Sequence, residues 1–478
     1  MSSHLIRVAG AAVLLTCAAD ASAASRTQPA ESPRAPLLTV GTALRLALAR
    51  NPELANTADA LASVRWNERA VRSTFLPQVI PFYAFEKNDE TGERVDSYGL
   101  LVSEQFPFGT AVDAQAIVDR NPAGLGGEAY AADYRVTVRQ PLVRGLDPAV
   151  TAEPLRLARR ATTSQTRTVE VTSRRTVLLV YQAYLGVARY EEAWRLAADR
   201  VERARELTGY SRARFSAGGV SRLDVLRAEQ QEASTVVALN DAERALEDFR
   251  DLLRRTAGLV ENEQFSIAMP ADLPAEEPDL DTAIRETVDL RPESAEARDQ
   301  VVDAEFAVRI AKSLELPSLD AFLRYEASGA GRSAGDALHP RDPALVFGLA
   351  SQYGLNSATL RARRRQAEID LGVRKRNLAV LEDDLAREVR RAYRQLDSLR
   401  RNHAIAVENA QVAALQAEVA RLRFEKGLSD NFHVVDAENL LNSARLLELD
   451  SRVAILLARL DALYSSGRLD VSLFSTVP

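Results

Sequence analysis

The residue types that usually carry chemistry are thin and scattered in this chain. Its four histidines, His4, His339, His403 and His433, are far apart in sequence, so each reads as a solvated helix or loop residue and not as a ligand or general base. The one cysteine, Cys17, falls in an N-terminal stretch that reads as an export signal. Removal of that stretch leaves no thiol nucleophile, disulfide or cysteine metal site. No nucleophile motif, phosphate-cradling glycine loop or metal constellation is present, so catalysis and a bound cofactor are not expected. A formal net charge of −6 argues against a nucleic-acid binder.

The polar residues that do stand out punctuate two similar turns. Gly218, Gly219, Val220 and Ser221 form one; Gly427, Leu428, Ser429 and Asp430 form the other. A glycine ending a helix and a Ser or Asp starting the next is ordinary helix punctuation. Asp224, three residues after Ser221, fits a capping box. His433 and Asp436 lie early in the second return segment. Repeated around an axis, Asp436 would give a negative ring that favours cations, whereas in a single chain it is an ordinary solvated carboxylate.

The turns belong to an internal duplication. With a constant offset of 209, Arg212, Arg214, Phe215 and Gly218 meet Arg421, Arg423, Phe424 and Gly427. Val225, Ala228, Glu229 and Ser234 meet Val434, Ala437, Glu438 and Ser443, and Ala183-Tyr184 meets Ala392-Tyr393. Upstream the offset is 240: Pro52 meets Pro292, Trp66 meets Phe306, and Leu76-Pro77 meets Leu316-Pro317. The first copy therefore carries 31 additional residues, the difference between the offsets. Each copy reads as helix, Leu-Pro, extended segment, Gly-Leu-Asp/Asn, very long helix, glycine turn and return helix.

From about 155 to 217 and again from 357 to 426 the sequence is helix-forming, for roughly 100 Å each. Asp147-Pro148 and Asn356-Ser357 supply the entries, and Pro154 is expected to delay or kink the first helix. Long amphipathic pairs of this kind must pack laterally. The extended segments, about 77–143 and 317–353, alternate in polarity: Leu319, Ala321, Leu323 and Tyr325 against Asp320, Phe322, Arg324 and Glu326. That is the pattern of an outer-membrane barrel strand, and equally of a soluble two-sided sheet. The 31 extra residues fit either a further hairpin (four or six strands per chain) or an extracellular loop. Residues 260–281, acidic and proline-rich, read as a surface connection between the copies.

Residues 1–23 read as a signal peptide, with Val8–Thr16 apolar and Ala21-Ser22-Ala23 as the cleavage site. Leu14-Leu15-Thr16-Cys17 offers a second reading, lipidation of Cys17. Residues 24–37 form a linker, 38–259 the first copy, 282–469 the second and 470–478 a C-terminal end. No other stretch approaches the ~20 apolar residues of a transmembrane helix, so any crossing must use strands.

The chain resembles the TolC-like outer membrane efflux family from about Leu38 to Leu469. The resemblance rests on the duplicated plan, the strand entries Leu76-Pro77-Gln78-Val79 and Leu316-Pro317-Ser318-Leu319, and Arg139-Gln140-Pro141-Leu142-Val143-Arg144-Gly145. The Arg-x-x-Phe-x-x-Gly turns at 212–218 and 421–427 are its most specific part. The second copy departs from the pattern at Ala350-Ser351-Gln352-Tyr353-Gly354-Leu355-Asn356, before its long helix.

The resemblance implies a mainly α protein with a small transmembrane β part, a homotrimer whose strands close one barrel continued by an α-helical barrel across the periplasm. It implies an outer-membrane exit duct for drugs, small molecules or proteins. The glycine turns would meet a membrane-fusion adaptor protein that links the duct to an inner-membrane pump, and Asp224, His433 and Asp436 would lie near the periplasmic gate. The other expectation is a periplasmic coiled-coil scaffold that never enters the membrane.

Overall fold

The computed structural model describes residues 37–89, 94–120, 129–260, 265–270, 277–354 and 358–469. The segment expected to be an export signal, with Cys17, the Asn356-Ser357 entry and the C-terminal end lie outside these residues. Two short helices open the first copy, α1 (Val40–Arg50) and α2 (Pro52–Ser73), followed by strands β1 (Gln78–Lys87), β2 (Arg94–Gln105), β3 (Ala111–Arg120) and β4 (Tyr130–Pro141). A single turn, α3 (Pro148–Thr151), leads into α4 (Glu153–Ser216), and α5 (Arg222–Ala257) returns. The second copy repeats the order: α6 (Leu280–Leu290), α7 (Pro292–Leu314), β5 (Ser318–Gly331), the short α8 (Ala334–Ala337), β6 (Arg341–Gln352), α9 (Ala358–Glu425) and α10 (Asn431–Ser465).

The expected long helices are thus α4, of 64 residues, and α9, of 68. Asp147 caps α3 by accepting from the Ala149 N–H, and Pro154 sits in the first turn of α4. There its missing N–H costs no hydrogen bond, so the helix is delayed and not kinked.

Leu385, Val389, Ala392, Leu396, Ala406, Ala410, Ala413, Ala417 and Phe424 are buried along α9. They fall on one alternating three- and four-residue seam, the 3.5-residue period of a left-handed coiled coil. Alanine dominates the seam near the turn, so α9 and α10 approach closely there. His403 occupies a position of this seam, half-buried, with its Nδ1 2.8 Å from the Ser451 hydroxyl on α10. That explains His403 as a packed polar residue.

The largest apolar cluster lies midway along the helices. Leu44 and Ala47 of α1 meet Tyr181 and Leu185 of α4, Leu253 of α5 and Leu460 of α10. The Tyr184 hydroxyl lies 3.1 Å from the carbonyls of both Leu38 and Ala268 and so ties the chain ends of the cluster to α4. The linker around 260–281 takes part: Phe265 and Ile267 are buried in this core, and Leu37 bridges Ser266. Nearer the sheet, Arg160 of α4 grips Glu296, Asp299 and Asp303 of α7. Partial burial works against the Glu296 carboxylate, but its bond to Arg160 prevails and holds its pKa below the usual range.

All six strands form one antiparallel sheet in sequence order, β1-β2-β3-β4-β5-β6. The extra 31 residues are therefore two further strands and not a loop. The β1–β2 and β5–β6 pairs share a packing detail. Phe82 pairs with Gly99, and Phe322 with Gly348. In both, a Cβ on the glycine would lie within 3 Å of the phenylalanine ring.

Candidate functional site

The two faces of the sheet differ in where they carry charge. Register places Val79, Tyr83 and Phe85 of β1 with Tyr98, Leu100 and Val102 of β2 and Val112, Ala114 and Ala116 of β3. Val136 and Val138 of β4, Leu323 and Tyr325 of β5, and Leu345, Phe347 and Leu349 of β6 continue the same face. The other face is mixed and carries the charges: Asp113, Gln115, Arg135, Thr137, Arg139, Arg324 and Glu326 lie among Ile80, Phe82, Leu101, Ile117, Phe322 and Val346, with Arg135 paired to Glu326 at 2.9 Å. On the apolar face Phe347 is 82 % exposed, Leu349 68 % and Leu345 65 %. Both edge strands, β1 and β6, lack a second neighbour among the described residues. A sheet with a wide uncovered apolar face and two open edges is incomplete in water.

The glycine turns lie at the opposite end of the long helices. Gly218 (φ 74°) and Gly427 (φ 72°) adopt the left-handed conformation that only glycine takes without strain. In the first turn the Gly218 N–H reaches the Phe215 carbonyl at 3.0 Å and the Gly219 N–H the Arg214 carbonyl at 2.8 Å. In the second, Gly427 and Leu428 do the same to Phe424 and Arg423, at 3.0 and 2.9 Å. Gly218, Gly219, Ser221, Gly427, Leu428 and Asp430 are exposed; Val220 and Ser429 are partly covered.

The turns are capped differently. Ser221 and Asp224 form a complete capping box: the Ser221 N–H donates to the Asp224 carboxylate at 2.9 Å, and the Asp224 N–H to the Ser221 hydroxyl at 3.2 Å. Asp224 is buried in this local role. Asp430 occupies the N-cap position of α10 but makes no side-chain cap bond. His433 replaces the capping acid there, exposed, with its Nε2 3.9 Å from Asp430. Asp436 is exposed on α10, and the equivalent position in the first copy is Arg227. A ring built from both copies would alternate acid and base.

Sequence reasoning missed the residues that bind one turn to the other. Arg214 donates to the Phe424 carbonyl at 2.7 Å, Tyr210 to the Glu425 carbonyl at 3.2 Å, and the Asn431 amide to the Asp224 carbonyl at 2.7 Å. Tyr210 and Asn431 have Val419 and Arg222 at the equivalent places. For these two the signal was there, because they fall where the repeat breaks, whereas Arg214 is matched by Arg423 and gave none. Among the described residues no group of His, Cys, Asp and Glu is arranged to hold a metal, and no helix is long and apolar enough to cross a membrane.

Long helical hairpins joined at one end to a six-stranded antiparallel sheet define the fold class. The family model described as outer membrane efflux protein matches residues 283–465. Solved structures share the fold across most of the chain. A CusC structure, whose description refers to transmembrane channel formation, aligns with TM-score 0.70 at 14% identity, covering 89% of this chain and 91% of that one. The Campylobacter jejuni CmeC outer membrane channel aligns with TM-score 0.67 at 13% identity, covering 93% and 92%. The Neisseria gonorrhoeae MtrE outer membrane channel, in its open state, aligns with TM-score 0.66 at 16% identity, covering 90% and 89%. No curated protein sequence matches. Residues 283–465 thus match the outer membrane efflux protein model, and the chain as a whole has the TolC-like fold.

Proposed function

We propose that the protein is the exit duct of a tripartite export system, a homotrimer in the outer membrane of a Gram-negative bacterium. The observation that carries this reading is the sheet. Its uncovered apolar face suits lipid, its charge-bearing face suits a water-filled lumen, and its two open edges need strands from further copies to satisfy their backbone groups. Six strands cannot close a barrel of the usual minimum of about eight. A periplasmic scaffold would leave this apolar face in water, so the sheet weighs against that alternative. In the proposed assembly the helices form the periplasmic tunnel, and the exposed glycine turns meet a membrane-fusion adaptor joined to an inner-membrane pump. Cargo is chosen by the pump, because a wide tunnel selects little.

Detergent-extracted protein, sized by light scattering with the detergent contribution subtracted, is expected at three chains per particle. It should fractionate with the outer membrane. A soluble periplasmic protein, or a monomer that conducts ions in a bilayer, would refute the reading.

A further inference from the structure

Between the two hairpins of the chain, on the sheet side of the glycine turns, lies a cavity of about 240 Å³. Its apolar lining comes from both hairpins: Leu207 and Tyr210 of α4, Phe424 of α9, and Val434 and Val435 of α10. The Tyr210 and Phe424 rings meet edge to face with centroids 5.6 Å apart. The second copy has Gln416 and Val419 in place of Leu207 and Tyr210, and Asn409 and Val412 in place of Arg200 and Arg203. The same helical hairpin therefore forms without these four side chains, and its own packing does not demand them.

The polar end of the cavity carries an imbalance of charge. Arg203 donates to Glu438 at 3.1 Å, and Arg421 lies 3.6 Å from Glu425, so those charges cancel in pairs. Arg200 is in no ion pair among the described residues. It donates to the Asn439 side-chain oxygen, which also accepts from Gln231 at 3.0 Å, and its buried Nε has no acceptor. Loss of hydration holds its pKa below the usual arginine value. Glu206 stands exposed at the rim, also in no ion pair among the described residues.

We infer that this cavity binds a singly charged aromatic carboxylate, its carboxylate on the Arg200 guanidinium and its ring against Tyr210 and Phe424. A planar guanidinium that faces only neutral amides is best satisfied by a carboxylate, which takes it in charge-assisted bonds. The aromatic rings favour a flat apolar body beside it. A second negative charge on the ligand would face Glu206, Glu425 and Glu438, so one charge is the limit. Size agrees: a cavity of about 150 Å³ holds benzene, and this larger one has room for a fused double ring. Because the walls belong to both hairpins, the ligand bridges them and stabilises the folded chain by mass action. Every wall belongs to a single chain, so the site is independent of the duct reading.

The test uses the full-length protein in non-ionic detergent, titrated calorimetrically with naphthoate. One molecule is expected per chain, with a melting temperature that rises with naphthoate concentration. Arg200→Gln should weaken binding about tenfold or more, and Arg200→Lys, which keeps the charge but not the planar fork, should weaken it less. Naphthalenemethanol, the same ring without the charge, should not distinguish wild type from Arg200→Gln. Absence of saturable naphthoate binding to wild type, or equal affinity in wild type and Arg200→Gln, would overturn the inference. Val435→Phe fills the cavity from α10 and leaves Arg200 in place, so it covers the case in which Arg200→Gln fails to fold. Undiminished naphthoate binding by folded Val435→Phe protein would equally overturn the site. None of these outcomes alters the number of chains per particle, which tests the duct separately.

Discussion

At the residue scale, the tip matters through charge. Asp436 and Arg227 are repeat equivalents of opposite sign, so three copies around an axis would interleave three acids with three bases. The mouth would then be close to neutral at this level, and each charge type would hold the other's field in check. Asp436→Ala should shift ion preference in planar bilayers toward anions, and Arg227→Ala should shift it toward cations by a similar factor. Equal selectivity in both variants would place these residues away from the conducting path. Asp436 was legible in the sequence as an early-helix carboxylate. Its opposing base was equally readable from the repeat, but a search for acids alone passes over it. Asp224 shows the opposite lesson: three residues after a serine, its capping geometry was legible in the spacing, and the structure gives it that local role.

At the scale of the element, duplication made the fold readable. Glycine, Pro and Leu-Pro positions marked the helix ends to within a few residues, because helix termini and strand entries depend on local backbone chemistry. Strand number was not readable in the same way. The alternation through Ala111–Ala116 is compatible with any exposed hairpin, and the decision lies in pairing between segments distant in sequence. The difference between the two caps was hidden too, since Asp430 has the right residue type at the right place but no side-chain bond to the helix.

The turns allow a test that separates backbone shape from bulk. A Cβ at Gly218 would meet nothing within 4 Å, so substitution there acts through φ alone. Gly218→Val should cost about 1–2 kcal/mol locally. It should abolish export if the turn is the adaptor's docking surface, with the trimer intact by size. Gly218→Asn, which tolerates the left-handed conformation, should retain most export. Equal export by both variants, measured against wild type in cells lacking other ducts, would remove the turn from the docking surface.

At the scale of the whole molecule, the consequence lies in how two cylinders meet. Each chain contributes four helices to a cross-section, so the proposed trimer has twelve, and at about 8–10 Å between axes their ring measures about 100–120 Å around. Strands spaced about 4.8 Å and tilted about 40° each take up about 6 Å of circumference. Twelve strands would make a hoop of only about 75 Å, whereas six per chain make eighteen, and about 110 Å. Excising one strand pair, β2 with β3, should therefore roughly halve the barrel's cross-section and lower single-channel conductance while the trimer still forms; unchanged conductance would mean that the pair does not line the wall. In the proposed trimer the additional hairpin would thus match the girth of the membrane hoop to that of the helical cylinder beneath it. Cargo leaving the tunnel would meet no narrowing at the membrane, and the tightest passage would lie at the far end, among the helix turns.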